Sequence, residues 1–307
     1  MTAFVESITA PHVLPPWKAD GVQTWLFGFP LATRAVTDYV DTFFNLGDKD
    51  KARYAFEAQA GGETLGTLFV STYPRIASAY SGQGSGRGDP AASLCVSETQ
   101  VSVLVPVRRY LVTADNMKLD PQIYFFQPFA ISDNSYMVFA NREIIGTDVM
   151  RGQISLRNSE RNGMTVETVI PAIRKFSPRS KEEELPFLRV ATGPPREQYM
   201  GTYPGQGPPW AVQTVALKQF RDTTNLKAAT YQATVTSTVT YRNIGDVRSY
   251  QPESVRLEFA LWDTVKEILT RFLDLQDLPD HPLRYAVGFT ADVTLDQVAT
   301  LQTFEIA

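Results

Sequence analysis

The chain has 307 residues, of which 43% are hydrophobic and 11% aromatic, so it can bury a substantial core. Its formal net charge of −4 gives no electrostatic reason to expect nucleic acid or an anionic membrane as a partner. The single cysteine, Cys95, excludes an intrachain disulfide and fits a reducing compartment, and no apolar run approaches the roughly 18 residues of a membrane span.

The N-terminal segment predicts an arm followed by a strand and a helix. Residues 1–20 lack the basic and apolar regions of a secretory signal, so we expect a cytoplasmic protein, and their prolines indicate an extended arm. Val22–Phe29 is rich in β-forming residues and predicts the first strand. Apolar side chains recur at helical spacing within Leu31–Leu46, which predicts a helix.

Two further strands are predicted before a glycine-rich segment. Arg53–Ala58 and Leu65–Tyr73 contain β-forming residues and flank the turn signal Gly61-Gly62. Residues 81–90, SGQGSGRGDP, are not followed by the helix and lysine that a phosphate-binding loop requires. We interpret them as a mobile loop that could cover a pocket.

The next segment, Leu94–Val107, predicts a long strand with valines on one face and Glu98 near its start. A carboxylate that faces an apolar cavity has a raised pKa, which suits a general acid or base. The alternative is that Glu98 points to solvent or pairs with an arginine such as Arg142.

Aromatic and charged residues follow in the middle of the chain. Ile123–Phe129 predicts an aromatic strand whose side chains either wall a pocket or belong to the core. Tyr136–Leu156 starts with an apolar run that suits a buried strand and continues into Arg142-Glu143. We interpret the charged residues as a turn at the mouth of an apolar cavity, and the alternative is a solvated strand end with a surface ion pair.

The C-terminal half alternates between strands, a helix and a long excursion. Its predicted elements are a hairpin of Gln153–Arg157 and Met164–Ile170 around Asn162-Gly163, an excursion over residues 174–209, a half-buried antiparallel strand Thr230–Tyr241, a helix Leu257–Leu275, and a final strand Tyr285–Val293 with a short helical tail. All segments together predict a single β-rich α+β domain over residues 1–307, built around a barrel.

Several common kinds of catalytic site are poorly supported. The only histidines, His12 and His281, each lie beside a proline in a predicted loop, and Cys95 stands alone, so we expect no metal site. The sequence contains no Gly-x-Ser-x-Gly elbow and no Rossmann or Walker pattern. We therefore expect no bound cofactor.

Short motifs in a consistent order along the chain resemble the acetoacetate decarboxylase-like family. Ser97-Glu98-Thr99 resembles the family's Thr-Glu-Ser, whose glutamate lines the active site, and Arg142-Glu143 resembles its Arg-Glu. Leu26–Leu46 is similar to its first strand and helix. The C-terminal matches are Arg256–Phe259, Asp277-Leu278-Pro279 and Tyr285–Leu295. The resemblance implies an antiparallel β-barrel with a few packed helices, and a homo-oligomer.

The chain departs from this family at the residue that defines the family's chemistry. There the Arg-Glu segment leads into Pro-Lys-Lys, whose first lysine forms a Schiff base with a keto acid and whose second lowers the pKa of the first. The corresponding residues of this chain are Val149 and Met150. The family's first strand also carries an arginine thought to hold the substrate carboxylate, whereas predicted strand 22–29 has no basic residue. Lys175 or Lys218 could reach the pocket instead, but only with a rebuilt geometry.

Two functional hypotheses remain open. The first is an enzyme of secondary metabolism that performs acid–base chemistry (lyase, isomerase, dehydratase or cyclase type) on a keto-acid or polyketide-like small molecule, without a Schiff base. The second is a non-catalytic small-molecule-binding or structural protein. The candidate catalytic residues are Glu98, Arg142 and Glu143, and the candidate substrate-binding residues are Trp25, Phe27, Tyr124, Phe126, Val149 and Met150.

Overall fold

The computed structural model describes residues 15–31, 33–45, 52–56, 64–78, 95–112, 117–196, 210–221, 229–270 and 283–303. Its strands are β1 (Trp17–Leu31), β2 (Ala52–Phe56), β3 (Thr64–Ser78), β4 (Cys95–Val112), β5 (Met117–Ser132), β6 (Val149–Arg151), β7 (Gln153–Ser159), β8 (Gly163–Ala172), β9 (Glu183–Ala191), β10 (Trp210–Arg221), β11 (Ala229–Ser249), β12 (Arg256–Phe259) and β13 (Tyr285–Thr303). Its helices are α1 (Thr33–Phe43), α2 (Ser135–Ala140), a π-helix (Asn141–Ile145), a 3-10 helix (Pro252–Ser254) and α3 (Asp263–Leu269).

The larger of two sheets has the strand order β2-β4-β3-β1-β13-β11-β10-β5-β6, and β4 also pairs with β5. Pairing therefore follows a circuit through β4, β3, β1, β13, β11, β10 and β5. Within this circuit β5 and β10 are parallel, and the other neighbours are antiparallel. The chain is β-rich with a few helices, as predicted. The prediction of an antiparallel barrel is wrong, because the large sheet is mixed and contains parallel pairs. The small sheet intervenes between β5 and β10 along the chain, and parallel neighbours need such a long connection.

The smaller sheet has the order β12-β9-β8-β7 and is antiparallel. The predicted hairpin around Asn162-Gly163 is confirmed, because β7 and β8 pair across it. Gly163 has φ +80°, and a Cβ there would collide with the backbone oxygens of Thr192 and Gly193. The predicted excursion over residues 174–209 contains β9, so part of it belongs to this sheet.

The strands of the circuit bury side chains on both faces. The first hydrophobic cluster packs α1, α3 and the small sheet against one face and includes Phe27, Val40, Phe126, Phe187 and Val265. The second hydrophobic cluster lies on the opposite face and includes Trp17, Phe69, Leu104, Tyr241 and Phe289. Strands from all sides of the circuit contribute to the second cluster, so it lies in the interior of the circuit.

The predicted strand at Tyr136–Phe139 is wrong, since these residues form α2. The side chain of Asn134 caps the helix, accepting hydrogen bonds from the backbone N–H groups of Tyr136 and Met137 at 2.9 and 3.2 Å. Helical spacing buries Met137 and Val138 and leaves Tyr136 and Phe139 44% and 52% exposed. The π-helix continues directly from α2.

Other element boundaries also differ from the prediction. The first strand begins at Trp17, so residues 17–20 belong to β1 and not to an arm. Leu257–Phe259 pairs with β9, and α3 begins only at Asp263. The predicted helical tail is strand through Thr303, because it pairs with β11. The helix predicted within Leu31–Leu46 is confirmed as α1.

Some predicted features lie outside the described residues: loop 81–90, the turn Gly61-Gly62, the segment Asp277–Pro279, and His12 and His281. Among the helices that are described, none is long and apolar enough to cross a membrane.

Candidate functional site

A cavity of about 120 Å³ lies inside the circuit of strands. Every strand of the circuit contributes to its lining, and α2 and the π-helix add Met137, Asn141 and Ile145. A dry cavity of about 150 Å³ admits benzene, so this volume suits a ligand of a few heavy atoms.

A continuous polar part of the lining comes from β3 and β4. Alternate residues of a strand face the same side, and this places Ser71 and Tyr73 of β3 beside Glu98, Gln100 and Ser102 of β4. The intervening residues of β4, Val101 and Val103 among them, face the first hydrophobic cluster. One strand thus has a polar face toward the cavity and a valine face toward the core.

Glu98 is the buried carboxyl group of this cavity. It is 4% exposed, and its Oε1 atom has no hydrogen-bond partner within the described part of the chain. Burial raises its pKa to about 7, a hydrogen bond with the Ser132 hydroxyl lowers it, and the nearby Asp133 raises it. The carboxyl group can therefore hold or release a proton near neutral pH.

Two phenols continue the polar lining from Glu98. Tyr73 is the register partner of Glu98 on the neighbouring strand. Burial of the Tyr73 hydroxyl raises the pKa of this tyrosine well above the usual range, and the charge of Glu98 raises it further. Burial also raises the pKa of Tyr241, and Tyr73 adds to that shift. The Tyr241 ring stacks on Trp210 at a centroid distance of 4.8 Å. Both phenols stay protonated at neutral pH and can donate hydrogen bonds.

The opposite part of the cavity is shaped by the π-helix. The buried Asn141 side chain lines the cavity and donates a hydrogen bond to the Met137 carbonyl oxygen at 2.9 Å. Gly146 ends the π-helix at φ +82°, and a Cβ there would lie 2.6 Å from the Cβ of Lys218. This close approach to β10 fixes the π-helix against the circuit.

Lys18 borders the cavity at its exposed edge. Its side chain is 65% exposed, and its Nζ lies 3.4 Å from a carboxylate oxygen of Asp20. The expectation that the first strand has no basic residue is thus wrong, because β1 starts before Val22 and includes Lys18.

The other predicted catalytic residues lie apart from Glu98. Arg142 and Glu143 are exposed on the π-helix and do not line the cavity. Burial lowers the pKa of Lys218 below its usual value, and the charge of Glu143 offsets part of this decrease. Lys218 is half-buried outside the lining, and Lys175 is exposed.

The six predicted substrate-binding residues also lie outside this lining. Trp25, Phe27, Tyr124 and Phe126 belong to the first hydrophobic cluster. A bulge between Ala19 and Val22 reverses the faces of β1, so Trp17 and Ala19 face the cavity whereas Trp25 and Phe27 face away. Val149 packs with Ala130 and Val138, and Met150 packs against the first cluster.

Sequence reasoning missed most of the lining residues, including Trp17, Tyr73 and Tyr241. One usable signal was present in β4. Glu98, Gln100 and Ser102 alternate with Thr99, Val101 and Val103, which indicates a strand with one strongly polar face. Within the described ranges, no group of three or more His, Cys, Asp or Glu side chains could hold a metal ion.

No protein-family model and no curated protein matches the sequence. Solved structures do match over nearly the whole chain. Acetoacetate decarboxylase from Legionella pneumophila superposes with a TM-score of 0.59 at 13% identity, covering 99% of this chain and 93% of its own. The enduracididine biosynthesis enzyme MppR, complexed with the condensation product of pyruvate and imidazole 4-carboxaldehyde, gives a TM-score of 0.56 at 11% identity. This match covers 94% of this chain and 90% of the MppR chain.

An acetoacetate decarboxylase-like enzyme from Sphingomonas wittichii RW1 gives a TM-score of 0.56 at 10% identity, covering 95% of this chain and 96% of its own. These similarities show that the chain has the acetoacetate decarboxylase-like fold. The resemblance in the sequence motifs is therefore confirmed at the level of fold.

Proposed function

We propose that this protein is an acid–base enzyme that acts on a small carbonyl compound, with Glu98 as the general acid or base and without a Schiff base. The observation that carries the proposal is the position of Glu98, which is buried in the wall of the cavity and has one carboxyl oxygen without a partner among the described residues. The most efficient general acids and bases have a pKa near the working pH, and burial brings the pKa of Glu98 to about 7.

The lining suggests how a proton would move. The Glu98 carboxylate would take a proton from the carbon next to a carbonyl group, so that a C–H bond breaks and an O–H bond forms. The electron pair moves to the carbonyl oxygen, where the Tyr73 hydroxyl, paired across from Glu98, would donate a hydrogen bond to the enolate. Transfer of the proton from Glu98 to a different carbon completes an isomerisation. In an elimination the enolate instead expels a leaving group from the neighbouring carbon, and Glu98 returns its proton to that group.

The absence of a Schiff base is part of the proposal. The positions that match the family's lysines are Val149 and Met150, and Val149 is packed against Ala130 and Val138. Lys18, the one lysine among the described lining residues, is largely exposed and ion-paired with Asp20. A Schiff-base lysine is activated by a desolvating pocket or a neighbouring cation, and Lys18 has an exposed side chain beside a carboxylate.

The size of the cavity favours a small substrate over a polyketide. The matched enzyme MppR was solved with pyruvate and with a condensation product of pyruvate, and both are carbonyl compounds or derive from one. The alternative, a non-catalytic binding protein, predicts an apolar receptor around Val149 and Met150. The observed cavity is lined by Glu98 and not by Val149 or Met150, which supports the enzyme instead.

Deuterium exchange tests the proposal. Butanone, acetoin, pyruvate and acetoacetate are incubated separately with the protein in D2O at neutral pD, and exchange next to the carbonyl group is followed by proton NMR. We expect catalysed exchange of at least one compound, reduced about 100-fold or more in Glu98→Gln and unchanged in Glu258→Gln, a surface carboxylate. Equal exchange in both variants would contradict the role of Glu98. Binding without exchange would favour the non-catalytic alternative.

A further inference from the structure

We infer that the cavity takes an uncharged hydroxycarbonyl compound and rejects a carboxylate anion. The inference rests on the proposed function only in taking the Glu98 cavity as the ligand site. It narrows the substrate from small carbonyl compounds in general to those with a hydroxyl group and no net charge.

The first argument is the charge that a ligand would meet. Glu98 faces the cavity from β4, and Asp133, just after β5, adds further negative potential. The other titratable groups on this side are Tyr73 of β3 and Tyr241 of β11, and both remain neutral because burial raises their pKa. An anionic ligand beside an ionised Glu98 would place like charges together at a buried carboxyl group, which is costly.

The second argument concerns the compensating positive charge. Lys18 of β1 is the cation that borders the cavity in the described part of the chain, but its side chain is mostly in solvent and lies beside Asp20. In the family that the sequence resembles, two lysines supply positive charge after the Arg-Glu segment, and here those positions are Val149 and Met150. A substrate carboxylate in the cavity would therefore lie near the Glu98 carboxyl group without an unpaired cation among the described lining residues to offset its charge.

The third argument is the hydrogen-bonding pattern. The unpartnered Oε1 of Glu98 is an acceptor, and a hydroxyl group on the ligand would supply the missing donor. The Tyr73 hydroxyl remains a donor and suits a carbonyl oxygen. A compound with a hydroxyl and a carbonyl group on adjacent carbons matches both, and four carbons fit the volume of about 120 Å³.

Four ligands of nearly equal shape separate charge from hydrogen bonding. Acetoin and lactate both carry the hydroxyl group, and butanone and propionate lack it. Acetoin and butanone are neutral, whereas lactate and propionate are anions. Dissociation constants are measured for each compound by ligand-observed NMR at pH 6 and pH 8.5, with the wild-type protein and with Glu98→Gln, Lys18→Met and Glu258→Gln.

The expected pattern is specific. The affinity for lactate and propionate falls about ten-fold for each pH unit above the pKa of Glu98, while that for acetoin does not fall. At pH 8.5 acetoin binds about ten-fold or more tightly than butanone, because it donates to the ionised carboxylate. Glu98→Gln removes the pH dependence of lactate binding, and Glu258→Gln leaves every value unchanged.

Several results would overturn the inference. They are pH-independent binding of lactate, tighter binding of lactate than of acetoin at pH 8.5, loss of lactate binding in Lys18→Met alone, or no binding of acetoin. If Glu98→Gln fails to fold, the pH series on the wild-type protein decides alone. Failure of the proposed function would give a different result. Deuterium exchange would then be independent of Glu98, while the preference of the cavity for neutral ligands over anions would persist.

Discussion

Tyr73 and Glu98 are register partners on the neighbouring antiparallel strands β3 and β4, and both side chains line the cavity. This pairing brings a phenol and a carboxyl group together in a buried place, where burial raises the pKa of both and the charge of Glu98 raises that of Tyr73 further. Both groups therefore favour their protonated forms, and Glu98 alone reaches its pKa near neutrality.

The stability of the protein should depend on the protonation of Glu98. In the unfolded chain the pKa of this carboxyl group is 4.5, and in the folded chain it is about 7. Between these values the folded state holds a proton that the unfolded state releases, so the free energy of unfolding decreases as pH rises from 4.5 to 7 and is constant above. The total decrease is about 3 kcal/mol.

Urea unfolding of the wild-type protein and of Glu98→Gln at pH values between 4.5 and 8 measures this effect. The difference between the two proteins isolates Glu98 from the other titrating groups, and Glu258→Gln serves as the surface control. We expect the decrease in the wild type and in the control but not in Glu98→Gln. Parallel curves for the wild type and Glu98→Gln would show that Glu98 titrates normally.

The second prediction concerns Gly146, which ends the π-helix and packs closely against Lys218 of β10. Gly146→Ala places a Cβ at φ +82° and 2.6 Å from the Cβ of Lys218, whereas Gly21→Ala has a similar φ of +64° with open space around it. We expect Gly21→Ala to lower the free energy of unfolding by about 1 kcal/mol, from backbone strain alone. Gly146→Ala should lower it by about 3 kcal/mol, because overpacking adds to the strain.

Equilibrium unfolding in urea gives both values. Equal losses in the two variants would mean that the contact between Gly146 and Lys218 imposes no constraint on the π-helix. A larger loss in Gly146→Ala should be accompanied by weaker acetoin binding, since Asn141 and Ile145 of the π-helix line the cavity.

The third prediction concerns covalent trapping of a substrate. Incubation with acetoacetate or pyruvate followed by borohydride reduction should add no mass to any lysine, because the sequence resemblance aligns Val149 and Met150 with the family's two lysines. Intact-protein mass spectrometry detects a reduced adduct directly. An adduct that peptide mapping assigns to Lys18, Lys175 or Lys218 would contradict the proposal that the chemistry proceeds without an imine.

The β-rich fold was predictable because its signals are local. Alternation in Thr230–Tyr241 and the Asn162-Gly163 turn gave β11 and the β7–β8 hairpin, and the helical spacing before Leu46 gave α1. Glu98 was identified as a candidate because its strand pattern is equally local. The order of the family's motifs then indicated the fold that the structural comparison supports.

The cavity lining was not predictable, because it depends on pairing between distant segments. The bulge after Ala19 reverses the faces of β1, and its local signal, Gly21 at φ +64°, does not tell which face turns toward the cavity. Tyr73 and Tyr241 become neighbours of the cavity only through the circuit of strands. The apolar run after Asn134 forms α2 and not the predicted strand. The Asn134 side chain caps this helix, and the prediction considered only the β-propensity of the run.

The most direct test of the central claim is a titration of the Glu98 carboxyl group by carbon-13 NMR, with its resonance assigned by comparison with Glu98→Gln. We predict a pKa near 7 that shifts when acetoin is added, because the carboxyl group is buried and faces the ligand. A pKa near 4.5 that acetoin leaves unchanged would contradict the account.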